Sequence, residues 1–328
     1  MMASQTGLFG TVGAAALADM QSGDIWDRAV LLSLSISSVG VKRKVRSSEV
    51  ETDADRGMIH VSKDILQCDV LDDIRKHDQE TRSWIGARAL PSMFRAGVYL
   101  WPIALVADSD AYLQGRAESR AALVGRFCDA YLMAKADAER RLGSLYNPTD
   151  YLAVDVVRGK FSLSYQYIEI SAPGRLRDIL PEIFERERDK AAAQWANAIE
   201  EARDMLRGQL AGLVEHMAER MKPGEDGKPK RFKASMVEGF QEFLGLFQAR
   251  NIADDSELAA VVERCRALMS GVSADAIRSS DELRDRLAAG MDEIRGSMDG
   301  LIVSQGRRID LGPADAAPDG DGFDFGDI

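Results

Sequence analysis

The stretch that decides the fold runs from Arg175 to Lys222: RLRDIL PEIFERERDK AAAQWANAIE EARDMLRGQL AGLVEHMAER MK. Apolar residues recur along it at Leu176, Leu180, Ile183, Ala191, Trp195, Ala198, Ala202, Met205, Leu210, Leu213 and Met217, mostly three, four or seven apart. That spacing, close to a period of about 3.5, predicts one long helix with a coiled-coil-like seam. Pro173-Gly174 precede it and Pro223-Gly224 follow it, residues that start or stop helices. At ~1.5 Å per residue the rod would be on the order of 65–70 Å long, more than a compact domain needs, so it requires partners along its length.

N-terminal to the rod, period-two alternation takes over. Val30, Leu32, Leu34 and Ile36 point one way and Ser33, Ser35 and Ser37 the other, which predicts a half-buried strand. The alternation continues past Gly40 into Val41-Lys42-Arg43-Lys44-Val45-Arg46. Ser47 to Gly57 reads as a polar loop, and Ser62 as the N-cap of a helix carrying Leu66, Val70 and Ile74 toward Leu90, stopped by Pro91. Val98 to Val106 reads as a strand at a sheet edge, because Pro102 cannot donate to a central ladder. Ser109 to Leu142 has helical period through Leu113, Ala117, Leu123, Val124, Phe127, Tyr131, Leu132, Ala138 and Leu142. Phe161, Leu163, Tyr165 and Tyr167 alternate with Ser162, Ser164 and Gln166, a second clear strand. Two long helices flanking a strand suggest an antiparallel helical pair capped at one end by a small sheet.

Beyond the rod, helices are expected at about Phe232 to Arg250, with Phe232, Phe240, Phe243 and Phe247 on one face, at Ser256 to Met269 and at Ser280 to Val303. The expected class is α+β: mainly α with a small antiparallel β-sheet, elongated, with long antiparallel helices and a C-terminal helical region. The expected divisions are a flexible arm at 1–24, an α+β body at 25–222, a linker at 223–231, a helical region at 232–304 and a disordered acidic tail at 305–328.

Two segments resemble a family carried by bacteriophages and integrative elements and known as a domain of unknown function. One is Asp27-Arg28-Ala29-Val30-Leu31-Leu32-Ser33-Leu34-Ser35-Ile36-Ser37 followed by Lys42-Arg43-Lys44. The other is Tyr151 with Phe161-Ser162-Leu163-Ser164-Tyr165-Gln166-Tyr167-Ile168-Glu169-Ile170 and Pro173. The resemblance covers roughly Asp27 to Lys222 and rests on strand patterns. It implies a genetic neighbourhood of MoxR-type AAA+ ATPases, von Willebrand-type domain proteins or recombination genes, and carries no catalytic residues.

The formal net charge is −11, and Ile309 to Ile328 hold six Asp and no Lys or Arg, so the rest of the chain is only mildly acidic. This argues against a uniformly basic nucleic-acid binder and leaves room for a local patch. Cys68, Cys128 and Cys265 lie far apart without metal-ligand spacing, which suits a reducing compartment. No run approaches ~18 apolar residues and the first basic residue is Arg28, so no membrane span or secretory signal is expected and the expected compartment is cytoplasmic.

No catalytic or cofactor motif stands out, so no catalytic, cofactor-binding or metal-ligating residues are assigned. Gly224 to Lys228 supplies a glycine-lysine pair, but Pro229 stands where a phosphate loop needs its hydroxyl. His77 sits among Asp73, Asp78 and Glu80, and His216 between Glu215 and Glu219, a pattern of exposed helix ion pairs more often than of metal sites. Asp319 to Asp324 opens like a calcium loop but has Phe323 at the fifth position and no Glu at the twelfth.

Three features point to partners. In the tail, Phe323, Phe325 and Ile328 punctuate Asp321, Asp324 and Asp327; this is a solvated tail or a docking peptide whose acids steer it and whose apolar tip fills a pocket. Such a tail loosely resembles the acidic, apolar-tipped tails of single-stranded-DNA-binding proteins. Lys42, Arg43 and Lys44, and Lys228, Lys230 and Arg231, are candidate phosphate contacts, each otherwise an ordinary solvated rim. Tyr165 and Tyr167 offer stacking faces but lie on the side of Phe161 and Leu163, where core is the better reading. The leading expectation is a non-enzymatic helical adaptor of a mobile element with a protein partner such as a MoxR-type AAA+ ATPase, and with oligomerisation through helices open. The alternatives are a nucleic-acid-binding accessory protein, and a helical membrane-active or pore-forming protein suggested by the Phe-rich stripe.

Overall fold

A computed structural model describes residues 28–46, 51–91, 96–169, 175–222, 230 and 233–303. The arm at 1–24, the tail with Asp321, Phe323, Asp324, Phe325, Asp327 and Ile328, and Lys228, Arg231 and Phe232 lie outside the described residues. The class is as the sequence predicts, mainly α with a small antiparallel sheet.

The sheet has three strands in the order β4-β1-β5, with β1 at Ala29–Ser37, β4 at Val98–Pro102 and β5 at Ser162–Ile168, all antiparallel. Pro102 ends an edge strand, where its missing N–H costs nothing. The register sets Leu32 opposite Tyr99 and Tyr167, and Leu34 opposite Tyr165. Val30, Leu32, Leu34 and Ile36 form one face, packed with Trp101, Leu163, Tyr165 and Tyr167 against Ile85 and Leu113. The opposite face is serine-rich only at its far end. Near its start, Ala29 and Leu31 join Leu100 in the core built by the long rod and the C-terminal helices.

A separate two-stranded hairpin pairs β2 (Lys42–Val45) with β3 (Val61–Asp64). This corrects the expected helix start, because Ser62 pairs with Lys44 and caps nothing. Helix α1 spans Asp69–Arg88, begins after Cys68 without a side-chain cap, and carries Asp69 and Asp72 in its first turn, where the helix dipole favours acids. Helix α2 (Val106–Leu142) runs antiparallel to α1. Arg116 donates to Thr81 (2.8 Å) and Arg120 grips Asp78 (2.6 and 3.0 Å), so the pairing rises on one helix as it falls on the other. Short helix α3 (Val154–Arg158) packs on α2, and Tyr131 donates to the carbonyl of Leu152 at 2.9 Å.

The rod is two helices. Leu180 sits at φ −142°, ψ 75°, immediately before Pro181, so α4 (Leu176–Ile179) stops and α5 (Pro181–Met221) starts afresh. The proline ring disfavours helical geometry in the residue before it and is well placed at the first helical position. At ~1.5 Å per residue α5 is about 60 Å long. Its buried seam is Trp195, Ala198, Ala202, Leu206, Leu210, Val214, Met217 and Met221. Leu206 and Val214 take the central positions that the spacing gave to Met205 and Leu213, which are half-buried at the seam's margin.

The long helices do not pair with each other as expected. Instead α5 takes α9 (Asp281–Val303), antiparallel, with Lys222 near Asp292 and Arg207 donating to the carbonyl of Leu301. Helices α6 (Ala234–Arg250) and α7 (Ser256–Met269) complete this layer with a short α8 (Ala274–Ser279). The Phe face of α6 is core: Phe240, Phe243 and Phe247 are buried with the α5 seam. The three-stranded sheet thus lies between an α1–α2 hairpin on one face and the α5–α9 assembly on the other, which is why its first strand is apolar on both sides.

Candidate interaction surface

Three arrangements among the described residues carry polar or exposed groups worth a functional reading. The first links α1 and α2. His77 Nε2 lies 2.9 Å from the hydroxyl of exposed Ser119, and His77 Nδ1 lies 3.7 Å from Asp78. Serine, histidine and aspartate in one place suggest an activated nucleophile, but the hydrogen bonds run the wrong way. Ser119 donates to the carbonyl of Arg116 at 3.1 Å, so it accepts from His77 Nε2–H, which leaves Nδ1 bare. A general base needs the reverse tautomer, with Nδ1–H held by the carboxylate. Asp78 is instead occupied by Arg120, and 3.7 Å is too long for a hydrogen bond. Burial and the neighbouring Arg116 guanidinium hold the imidazole below its ordinary pKa. The cluster clamps two helices.

The second is the β2–β3 hairpin with the end of α2. Register puts Arg43 opposite Lys63, and both turn toward Asp150, at 3.9 and 2.8 Å. Lys42 and Lys44 face outward with Arg46, all exposed and without an ion pair among the described residues. Between β3 and the end of α2 a cleft of about 230 Å³ is lined by Lys63, Asp64, Ile65, Ala134, Asp137 and Arg141 among others. Of the sequence-predicted cations, Lys42 and Lys44 are therefore available and Arg43 is committed. Lys230 donates to the carbonyl of Glu219 at 3.1 Å, at the C-terminal end of α5, so it belongs to a different place. Tyr165 and Tyr167 are core, bonded to Asp110 (2.8 Å) and Ser109 (2.7 Å); burial first and then the Asp110 bond push the Tyr165 phenol up to about 12.

The third is apolar and was missed by spacing. Leu132 and Met133 on α2 are 71% and 78% exposed, and on the adjoining segment Leu152 and Val156 are 39% and 49% exposed. The buried face of α2 runs through Val124, Phe127, Cys128, Tyr131, Ala134 and Ala138, which turns Leu132 and Met133 outward. The signal was present: Tyr131-Leu132-Met133 are three successive apolar residues, and no single helix face holds all three. Leu132 and Met133 give α2 an uncovered apolar step of the kind that interaction sites use.

No group of His, Cys, Asp and Glu among the described residues is placed to hold a metal ion, and no described helix is long and apolar enough to cross a membrane. The chain matches no protein-family model, no curated protein and no solved structure.

Proposed function

We propose that this chain is a non-enzymatic helical adaptor of a phage or mobile element, working with a AAA+ ATPase of the MoxR type or with recombination machinery. The observation that carries the reading is the exposed apolar pair Leu132 and Met133 on α2, in a helical hairpin tied by the buried Arg120–Asp78 pair, with Leu152 and Val156 also exposed on the segment that packs on α2. A rigid hairpin with an uncovered apolar face is built to be gripped by a second protein. The likeness of the Asp27 to Lys222 region to a mobile-element family supplies the setting. The acidic, Phe-tipped sequence Asp321 to Ile328 supplies a second point of attachment, steered by charge.

The test is affinity capture from the host with three baits: the full chain, a chain ending at Arg308, and Leu132→Glu with Met133→Glu. Retained protein and nucleic acid are both identified. An ATPase retained by the full chain and lost with the double substitution supports the adaptor. Nucleic acid retained equally by all three baits and released by salt supports the second reading, nucleic-acid binding, which the exposed Lys42, Lys44 and Arg46 favour.

A further inference from the structure

A strand at the margin of a sheet leaves a row of N–H and C=O groups unpaired, and folded proteins blunt such edges with charge, proline, shortness or cover. Among the described residues, β2, β3 and β4 are blunted in these ways. β4 ends in Pro102, and the N–H of Leu90 donates to the carbonyl of Leu100 on its outer side at 2.9 Å. β2 carries Lys42 and Lys44, and the Arg43 guanidinium turns back onto the carbonyls of Gly40 and Lys42 at 3.0 and 2.9 Å. β3 is four residues long and ends on Lys63 and Asp64. β5 is different. It stands last in the strand order and runs seven residues, Ser162–Ile168, without a charge, a proline or a glycine. Its Ser162, Ser164 and Gln166 are exposed.

The hydrogen-bond phase shows which groups this edge offers. The N–H of Leu34 donates to Gly97 and the carbonyl of Arg28 accepts from Ile103, so those alternate positions of the first strand face β4. Leu31, Ser33, Ser35 and Ser37 therefore face β5, and across the ladder they meet Ile168, Gln166, Ser164 and Ser162. Leu163, Tyr165 and Tyr167 are left with N–H and C=O turned to the open side, with no partner among the described residues. Behind them the strand is fixed, because the Tyr165 and Tyr167 hydroxyls are bonded to Asp110 and Ser109 of α2.

We infer that the occupant of this edge is β5 of a second copy of the chain, antiparallel, about a two-fold axis through Tyr165 and perpendicular to the sheet. That register pairs all of β5 with itself. Tyr165 meets its own counterpart and Leu163 meets Tyr167, each pair exchanging two hydrogen bonds, while Ser164 meets Gln166 at the closer, non-bonded spacing. Aromatic and apolar side chains then lie opposite one another on the α2 side, and uncharged polar ones on the other, so no like charges face across the new ladder. One geometry satisfies both copies, which is how isologous dimers close. An extended segment of another protein would find the same backbone groups but nothing to fix its register. The inference does not depend on the adaptor reading, whose exposed residues lie on α2 and the segment packed on it, and its readout is oligomeric state alone.

The test is sedimentation velocity on the full chain across about 1–100 μM, in about 50 mM salt so that facing charges are little screened. Expected is a wild-type dimer. S164K/Q166K and S164E/Q166E each set like charges opposite and should weaken it about tenfold or more. S164K/Q166E sets opposite charges against each other at the same two positions and should keep the dimer, and an equimolar mixture of the two like-charged variants should regain it. Circular dichroism should be unchanged throughout, because all of these side chains are exposed. A wild-type chain that stays monomeric over the range overturns the inference. So does a dimer that S164K/Q166K leaves intact, or one that S164K/Q166E weakens as much as the like-charged variants do.

Discussion

Arg207, midway along α5, holds Asp255 through two hydrogen bonds of 2.6 and 3.0 Å, and both side chains are more than nine-tenths buried. The same guanidinium reaches Glu257 and the carbonyl of Leu301, so one side chain ties α5 to the start of α7 and the end of α9. Asp255 in turn caps α7 by accepting from the N–H of Leu258. Burial pushes the Asp255 carboxyl up, but the bonds from Arg207 and Leu258 outweigh it and hold the pKa below its ordinary value.

Removing one partner should leave the other charge buried and unmatched. Arg207→Met and Asp255→Asn are each expected to cost about 3–5 kcal/mol in urea unfolding. Arg203→Ala, which breaks an i,i+3 pair with a half-exposed Glu200, should cost no more than about 0.5 kcal/mol. Equal losses at the two arginines would remove the special role given to the buried pair.

The clamp between α1 and α2 should weaken in mild acid. His77 faces Asp78, Arg116 and Arg120, and its folded pKa lies below 6.5, with burial the largest cause. The unfolded chain therefore takes up the proton first, so stability is full above about pH 6.5 and declines as the pH falls through that value. Urea midpoints measured between about pH 5 and 7.5 should show the slope, and His77→Gln should flatten it. An unchanged slope in the variant would assign the effect to other groups.

Gly97 has φ +87°, and a β-carbon there would lie 3.0 Å from the carbonyl oxygen of Leu34. Its own carbonyl accepts from the N–H of Leu34 at 2.7 Å, which fixes the entry into β4. Gly97→Ala is expected to cost about 1–2 kcal/mol from the left-handed backbone alone, with more from the contact. The unfolding midpoint measures it, and an unchanged midpoint would mean that the turn relaxes freely.

How much of this was legible follows the range of the interactions. β1 and β5 were readable because alternation is local, and α7 matched Ser256 to Met269 because its apolar period and its ends are local too. The break at Leu180 was also written locally, in Pro181, but a strong apolar period masked it. Ser62 was misassigned because a capping residue and a short strand residue look alike until the cross-strand partner, Lys44, is known. Helix partners were not legible. They depend on pairs such as Asp78 with Arg120, 42 residues apart, and Arg250 with the carbonyl of Ala89, 161 apart. The candidate surface was hidden for a related reason: periodicity counts Leu132 with the core face, and only the packing of Tyr131 and Ala134 turns it out.

The most direct test of the adaptor account is the equilibrium affinity of any ATPase that the capture experiment retains for the purified wild-type chain and for Leu132→Glu with Met133→Glu. The account predicts at least about a tenfold loss of affinity, the effect of removing central apolar contacts, with an unchanged melting temperature because neither residue is core. Equal affinity for the two proteins would contradict it and take the docking surface away from α2.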